Sequence, residues 1–271
     1  MNRNYYSIYG PHIESFLAFK RTLGFKMKGV EWIFYLFDQL VVERDDYEVG
    51  ISKELSDEWC KKRETEKEKT LYERVHYLRQ FSIFLSDTGY PSYLPNLPSY
   101  KSTYTPYIFS KTEIAAIFSA CDKLTISKRH GYSSALTIPV LLRLLYATGL
   151  RISEAIALTC EDINLEENYL VLRNCKNGQD RLVPFSESLS SVCKDYLEYR
   201  KSFSFKNITN YFFVRSNGDP CCKFMVYDWF RTILYKAGIP HGGKGLGPRL
   251  HDVRHSMAVH SLASMAEAGV D

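Results

Sequence analysis

The sequence predicts a mainly α-helical protein that carries one small β-hairpin or sheet and falls into two parts. Three observations predict it. Apolar residues recur at helical spacing through residues 1–90. The stretch PSYLPNLPSYKSTYTP, Pro91 to Pro106, then runs without helical period and holds four prolines. Beyond it, Asn177-Gly178 stands between two β-prone runs, the pattern of a two-residue hairpin turn.

The elements follow in order. Ile13, Phe16, Leu17 and Leu23 share one helical face, as do Ile33, Phe34, Phe37, Leu40 and Val41. The mixed-charge run KKRETEKEK, residues 61–69, reads as a solvated helix end or turn. Thr70 and Glu73 have capping-box spacing, and Leu71, Val75, Leu78, Phe81, Ile83 and Leu85 form the helix behind them, stopped by Thr88-Gly89. Ser110 and Glu113 form a second capping box. A buried helix is expected over residues 134–146 with Gly149 as its stop, then a short helix over Arg151–Leu158.

Glu166-Glu167-Asn168 reads as a turn, Tyr169–Arg173 as a strand and Arg181–Phe185 as the return strand. Helix resumes over Ser186–Tyr199, YFFVR (211–215) reads as a strand, and Phe224–Ala237 as a helix. HGGKGLGPRL, 241–250, is a loop before the last helix. Its lysine is not followed by Ser or Thr and no strand leads into it, so it is not a phosphate loop.

Composition narrows the class. The net charge is +4, and residues 1–105 are neutral with 15 basic and 15 acidic side chains. The excess therefore lies wholly in the second part, which is compatible with a polyanionic partner without demanding one. Seven cysteines in no C-x-x-C pair, two of them adjacent, suit reduced thiols in the cytosol better than disulfides or a zinc cluster. The amino terminus has no signal-peptide core, and Arg143 and Arg151 interrupt the longest apolar region, so no membrane span is expected.

Four side chains could carry chemistry: Arg151 after the helix stop, Lys176 beside the hairpin turn, and His251 with Arg254, which lie three apart and so on one helix face. Each has an ordinary reading. An arginine after a turn is commonly a solvated charge, a lysine is common at a hairpin tip, and His255 and His260 show that histidine is simply frequent in this helix. No Cys or carboxylate cluster completes a metal site with these histidines.

Order and context change that balance. ATGLRISEAIAL (147–158), NCKNGQDRLVPF (174–185) and PRLHDVRHSMA (248–258) together closely resemble the tyrosine recombinases, the phage-integrase family. The resemblance covers most of the chain, more loosely before Pro106. It implies a helical, SAM-like core-binding domain for DNA over 1–90, a linker over 91–106 and a catalytic domain over 107–271. It implies a site-specific recombinase or integrase of a mobile element, working on double-stranded DNA in the bacterial cytosol and self-associating on it. No metal or other cofactor is implied.

In such enzymes a tyrosine hydroxyl attacks the scissile phosphate, a 3′-phosphotyrosine link conserves the bond energy, and a 5′-hydroxyl later reverses the step. Without Mg²⁺, fixed cations must stabilise the charge that gathers on the non-bridging oxygens. Guanidinium is permanently charged and forks onto two oxygens. The resemblance accordingly assigns the phosphate to Arg151 and Arg254. It gives His251 a hydrogen bond or a proton to manage, and Lys176 protonation of the leaving oxygen. Glu154 either orients these cations or makes an ordinary i,i+3 ion pair.

The family's tyrosine follows its His-x-x-Arg, whereas the last tyrosine here is Tyr235. The expectation is therefore a truncated form whose nucleophile is missing, with a tyrosine supplied in trans by a partner subunit as a further reading. Exposed apolar surface and weaker assembly would follow. A non-catalytic DNA-binding protein of the same fold is the alternative, with a type IB topoisomerase-like enzyme and a helical scaffold behind it.

Overall fold

The computed structural model describes residues 3–27, 29–101, 104–125, 135–173, 179–201, 209–215, 217–243 and 246–269. It divides into two compact units, Met1–Tyr104 and Thr105–Asp271.

The first unit is built on four helices, α1 (Gly10–Thr22), α2 (Val30–Arg44), α3 (Lys53–Cys60) and α4 (Glu68–Asp87). The expected apolar faces make its core: Ile13, Phe16 and Leu17 meet Phe34, Phe37 and Val41 of α2 and Leu78, Phe81 and Leu85 of α4. Aromatic rings pack edge to face here, with Phe16, Phe34 and Phe37 all around Phe81. Leu23 departs from the expected face, because α1 ends at Thr22 and leaves it 56% exposed.

Helix α3 is an element the sequence reading passed over. Its signals are the N-cap Ser52, whose side chain accepts from the Leu55 amide at 3.1 Å, and the buried pair Leu55 and Trp59 one turn apart. The segment beyond α4 is extended and belongs to this unit. The Tyr93 amide donates to the Ile51 carbonyl at 2.7 Å, and the Arg79 guanidinium to the Pro95 carbonyl at 2.8 Å.

Two further expectations fail in this unit. The charge run is not wholly solvated: Glu66 accepts two bonds from Arg74, at 3.0 and 2.9 Å, and the two side chains are only 5% and 4% exposed. Arg74 also lies over the Trp59 ring, 4.8 Å from its centre. Nor do Thr70 and Glu73 cap anything, since α4 starts earlier, at Glu68, behind Lys67. The sequence reading also missed Asp38, a fully buried carboxylate that accepts from the Tyr6 and Ser7 amides, both at 2.9 Å, and from the Ser7 hydroxyl at 2.6 Å.

The second unit holds α5 (Lys111–Asp122), α6 (Thr137–Thr148), α7 (Ile152–Ala155), β1 (Ile163–Asn164), β2 (Tyr169–Leu172), β3 (Arg181–Pro184), α8 (Glu187–Lys201), α9 (Lys223–Lys236) and α10 (Leu250–Glu267). The Ser110–Glu113 capping box forms as expected. The sheet has three antiparallel strands in the order β1-β2-β3, with Leu170 opposite Val183 and Leu172 opposite Arg181. The expected tip of the β2–β3 hairpin, residues 174–178, lies outside the described residues.

Helix α6 is the centre of the core. Ile138, Leu141, Leu142, Leu144 and Leu145 are buried there among Ile117, Leu170, Phe230 and Val253. YFFVR is not a strand: Phe212, Phe213 and Val214 are buried, but the segment makes only isolated bridges, Thr159 to Tyr211 and Val214 to Pro220. Burial, not a sheet, explains its apolar run. Burial also pushes the thiols of Cys121, Cys193 and Cys221 up to about 12, so they are protonated fillers of the core. No helix among the described residues is long and apolar enough to cross a membrane.

Candidate active site

Gly149 ends α6 in the left-handed conformation, at φ 60°. Leu150 then turns into the core, and Arg151 follows in an extended conformation as the residue that opens α7. That helix is one turn long, shorter than the expected Arg151–Leu158. Its purpose here is served by Glu154. One carboxylate oxygen accepts from the Arg151 amide at 2.8 Å, and the other from the Arg151 guanidinium at 2.7 Å. The side chain is thereby aimed by its own turn.

Helix α10 brings the other half. The Arg249 amide donates to the Asp252 carboxylate at 2.7 Å and fixes its first turn. The Ser256 hydroxyl accepts from the Phe109 amide at 2.8 Å, and the His260 ring bonds the Tyr146 hydroxyl at 2.7 Å. These contacts tie α10 to α6 and to the chain before α5. Arg254, between them, donates to the Gly149 carbonyl. Met257 fills the space that a side chain on residue 149 would need. Glycine is required there twice, for its conformation and for its lack of a Cβ.

A third arginine completes the cluster. Arg181 opens β3 opposite the buried Leu172, so its side chain lies on that same face of the sheet. Its guanidinium reaches Glu154 at 3.3 Å. Arg181 lies within NCKNGQDRLVPF, yet the sequence alone gives it no role. Strand alternation from the buried Leu170 and Leu172 was the signal that could have placed it.

The electrostatics follow from the geometry. Burial pushes the Glu154 carboxyl up, but the Arg151 amide and guanidinium, with Arg181 beyond, outweigh it and hold it below the ordinary glutamate value. The Arg254 pKa is lowered as well, but against its charged form: burial and the neighbouring Arg151 both disfavour the guanidinium charge. His251, exposed in the first turn of α10, is lowered too, by partial desolvation, then His255, then Arg254. A neutral imidazole beside guanidinium groups can accept or donate a proton near neutral pH.

The structure thus brings Arg151, Glu154 and Arg254 together, with His251 on the helix that carries Arg254. Lys176 lies outside the described residues. Among the described residues no group of three or more His, Cys, Asp or Glu is placed to hold a metal ion. The arrangement is suited to binding an anion whose charge grows during a reaction.

The chain also matches known proteins. The model of the phage integrase family matches residues 108–271. A Sinorhizobium fredii protein named as a putative integrase/recombinase is 26% identical over 269 residues, covering 98% of this chain and 85% of its own. The tyrosine recombinase XerD of Staphylococcus saprophyticus is 28% identical over 200 residues, which is 73% of this chain and 64% of that protein. In structure, the Tn1549 transposon integrase in complex with transposon right end DNA superimposes with a TM-score of 0.62 at 17% identity, covering 96% of this chain and 88% of that one.

Proposed function

The chain belongs to the phage integrase family, and from that premise we propose that it is a site-specific DNA recombinase of a mobile element. In this reading it acts on double-stranded DNA, self-associates on it and works in the bacterial cytosol. One observation carries the reading. Arg151 and Arg254, more than a hundred residues apart in sequence, are both anchored on the six-residue turn from Gly149 to Glu154.

The chemistry assigned to this site is transfer of a phosphodiester between a tyrosine and a deoxyribose hydroxyl. Arg151 and Arg254 hold the non-bridging oxygens and stabilise the charge that builds on them. Glu154 sets the direction of Arg151. His251 bonds the phosphate or handles the nucleophile's proton. Lys176 protonates the leaving 5′-oxygen. The first unit contributes DNA contacts as a core-binding domain. The similarity to the Sinorhizobium and Staphylococcus proteins supports the recombinase reading of the chain as a whole.

The deciding experiment is a trapping assay on nicked duplex DNA. Salt-sensitive binding of duplex DNA is expected, with a covalent protein–DNA adduct only where a tyrosine nucleophile beyond the His251–Arg254 pair is supplied, and that adduct is lost in Arg151→Lys and Arg254→Lys. Salt-sensitive binding with no adduct would leave a DNA-binding protein of the same fold. Neither binding nor adduct would refute the reading.

A further inference from the structure

Arg181 is unexplained by the roles above. It is neither adjacent in sequence to the other arginines nor on their elements, yet it shares a carboxylate with one of them. Glu154 is 14% exposed, whereas Arg151 and Arg181 are 39% and 42% exposed, so the acid is the enclosed member between two more accessible cations. Its Oε1 is taken by the Arg151 guanidinium, and its Oε2 is shared by the Arg151 amide and the Arg181 guanidinium.

Charge counting gives that arrangement a consequence. Three guanidinium groups and one carboxylate leave two positive charges in the cluster. Without Arg181 there would be one, because Glu154 would cancel Arg151 and only Arg254 would remain. A phosphodiester carries one negative charge and gains more toward a pentacoordinate transition state. Glu154 is therefore needed for geometry but costly in charge, and Arg181 offsets that charge from the far side.

We propose that Arg181 is a positioning residue that acts through Glu154. It neutralises the acid that aims Arg151, so that Arg151 keeps its direction and its full attraction for a phosphate oxygen. It also couples the start of β3 to the turn that carries Arg151. The inference rests on the phosphate-binding reading of this site.

The test is a titration of the whole chain with inorganic phosphate, followed through the side-chain Nε–H NMR signals of Arg151 and Arg254. In the wild type both signals shift. Arg181→Ala weakens phosphate binding by about threefold, the scale of a partly exposed charge interaction. Arg181→Lys, which keeps the charge, weakens it less. The ratio of wild-type to Arg181→Ala affinity shrinks as ionic strength rises, because salt screens the Glu154 charge that Arg181 no longer offsets.

Wild-type affinity in Arg181→Ala would overturn the inference and leave the phosphate site standing. So would a loss that is as large in Arg181→Lys and unchanged by ionic strength, since that would mark a purely structural role. No response of Arg151 or Arg254 in the wild type would overturn the phosphate site, and the inference with it.

Discussion

The guanidinium of Arg254 donates a hydrogen bond to the main-chain carbonyl of Gly149, 105 residues earlier in the chain. This bond fixes one cation of the site against the turn that carries another. It depends on a glycine at a left-handed position with Met257 packed over it.

Gly149→Ala should cost about 1–2 kcal/mol from the left-handed backbone alone. The overlap with the Met257 methyl adds to that cost. Urea unfolding of Gly149→Ala, Met257→Ala and the double variant separates the two contributions. Relief of the overlap should make Met257→Ala less harmful when combined with Gly149→Ala than when made in the wild type.

Arg74→Met should destabilise the first unit by about 3 kcal/mol, because it strands the enclosed Glu66 carboxylate. The pH dependence has a definite sign. The Glu66 carboxyl is pushed up by burial but held below its ordinary value by Arg74, so its folded pKa lies below the unfolded one. Its stabilisation is complete above the ordinary glutamate range and is lost as pH falls through the folded value. Urea midpoints of the wild type and Glu66→Gln should differ most at pH 7 and converge in acid.

Asp38→Ala should cost about 2 kcal/mol, since it leaves two amides and a hydroxyl of the amino-terminal segment without their acceptor. Amide hydrogen exchange at Tyr6 and Ser7 should accelerate in the variant. Unchanged exchange would show that the segment is held by other means.

His251 should titrate below 6.5, and His255→Ala should raise its pKa, because His255 follows desolvation as a cause of the depression. A depressed imidazole pKa favours the folded state above the unfolded value, and that contribution is lost as pH falls through the window between them. Histidine ring NMR across pH 5 to 8 reads this directly. An elevated pKa would mean that an acid, not His255 and Arg254, dominates its surroundings.

Periodicity made most helices legible, because a helix that buries one stripe writes that stripe into the sequence, as in Ile13, Phe16 and Leu17. Capping was legible where the box lay against solvent, at Ser110, and misleading at Thr70, where α4 continued toward Glu68. YFFVR carried the composition of a strand, but its apolar side chains served the core rather than a sheet. Arg151, Glu154 and Arg254 were singled out because the segments ATGLRISEAIAL and PRLHDVRHSMA resemble those of the tyrosine recombinases; spacing alone left each with an ordinary reading. Arg181 and Asp38 were not, since their partners are 27 and 31 residues away and only the fold brings them near.

The most direct test of the central claim is the salt dependence of duplex-DNA binding by the wild type, Arg151→Ala and Arg254→Ala. If these two arginines grip a phosphate, each substitution should weaken binding and lower the slope of log affinity against log salt by about 1. Wild-type affinity and slope in both variants would contradict the phosphate site.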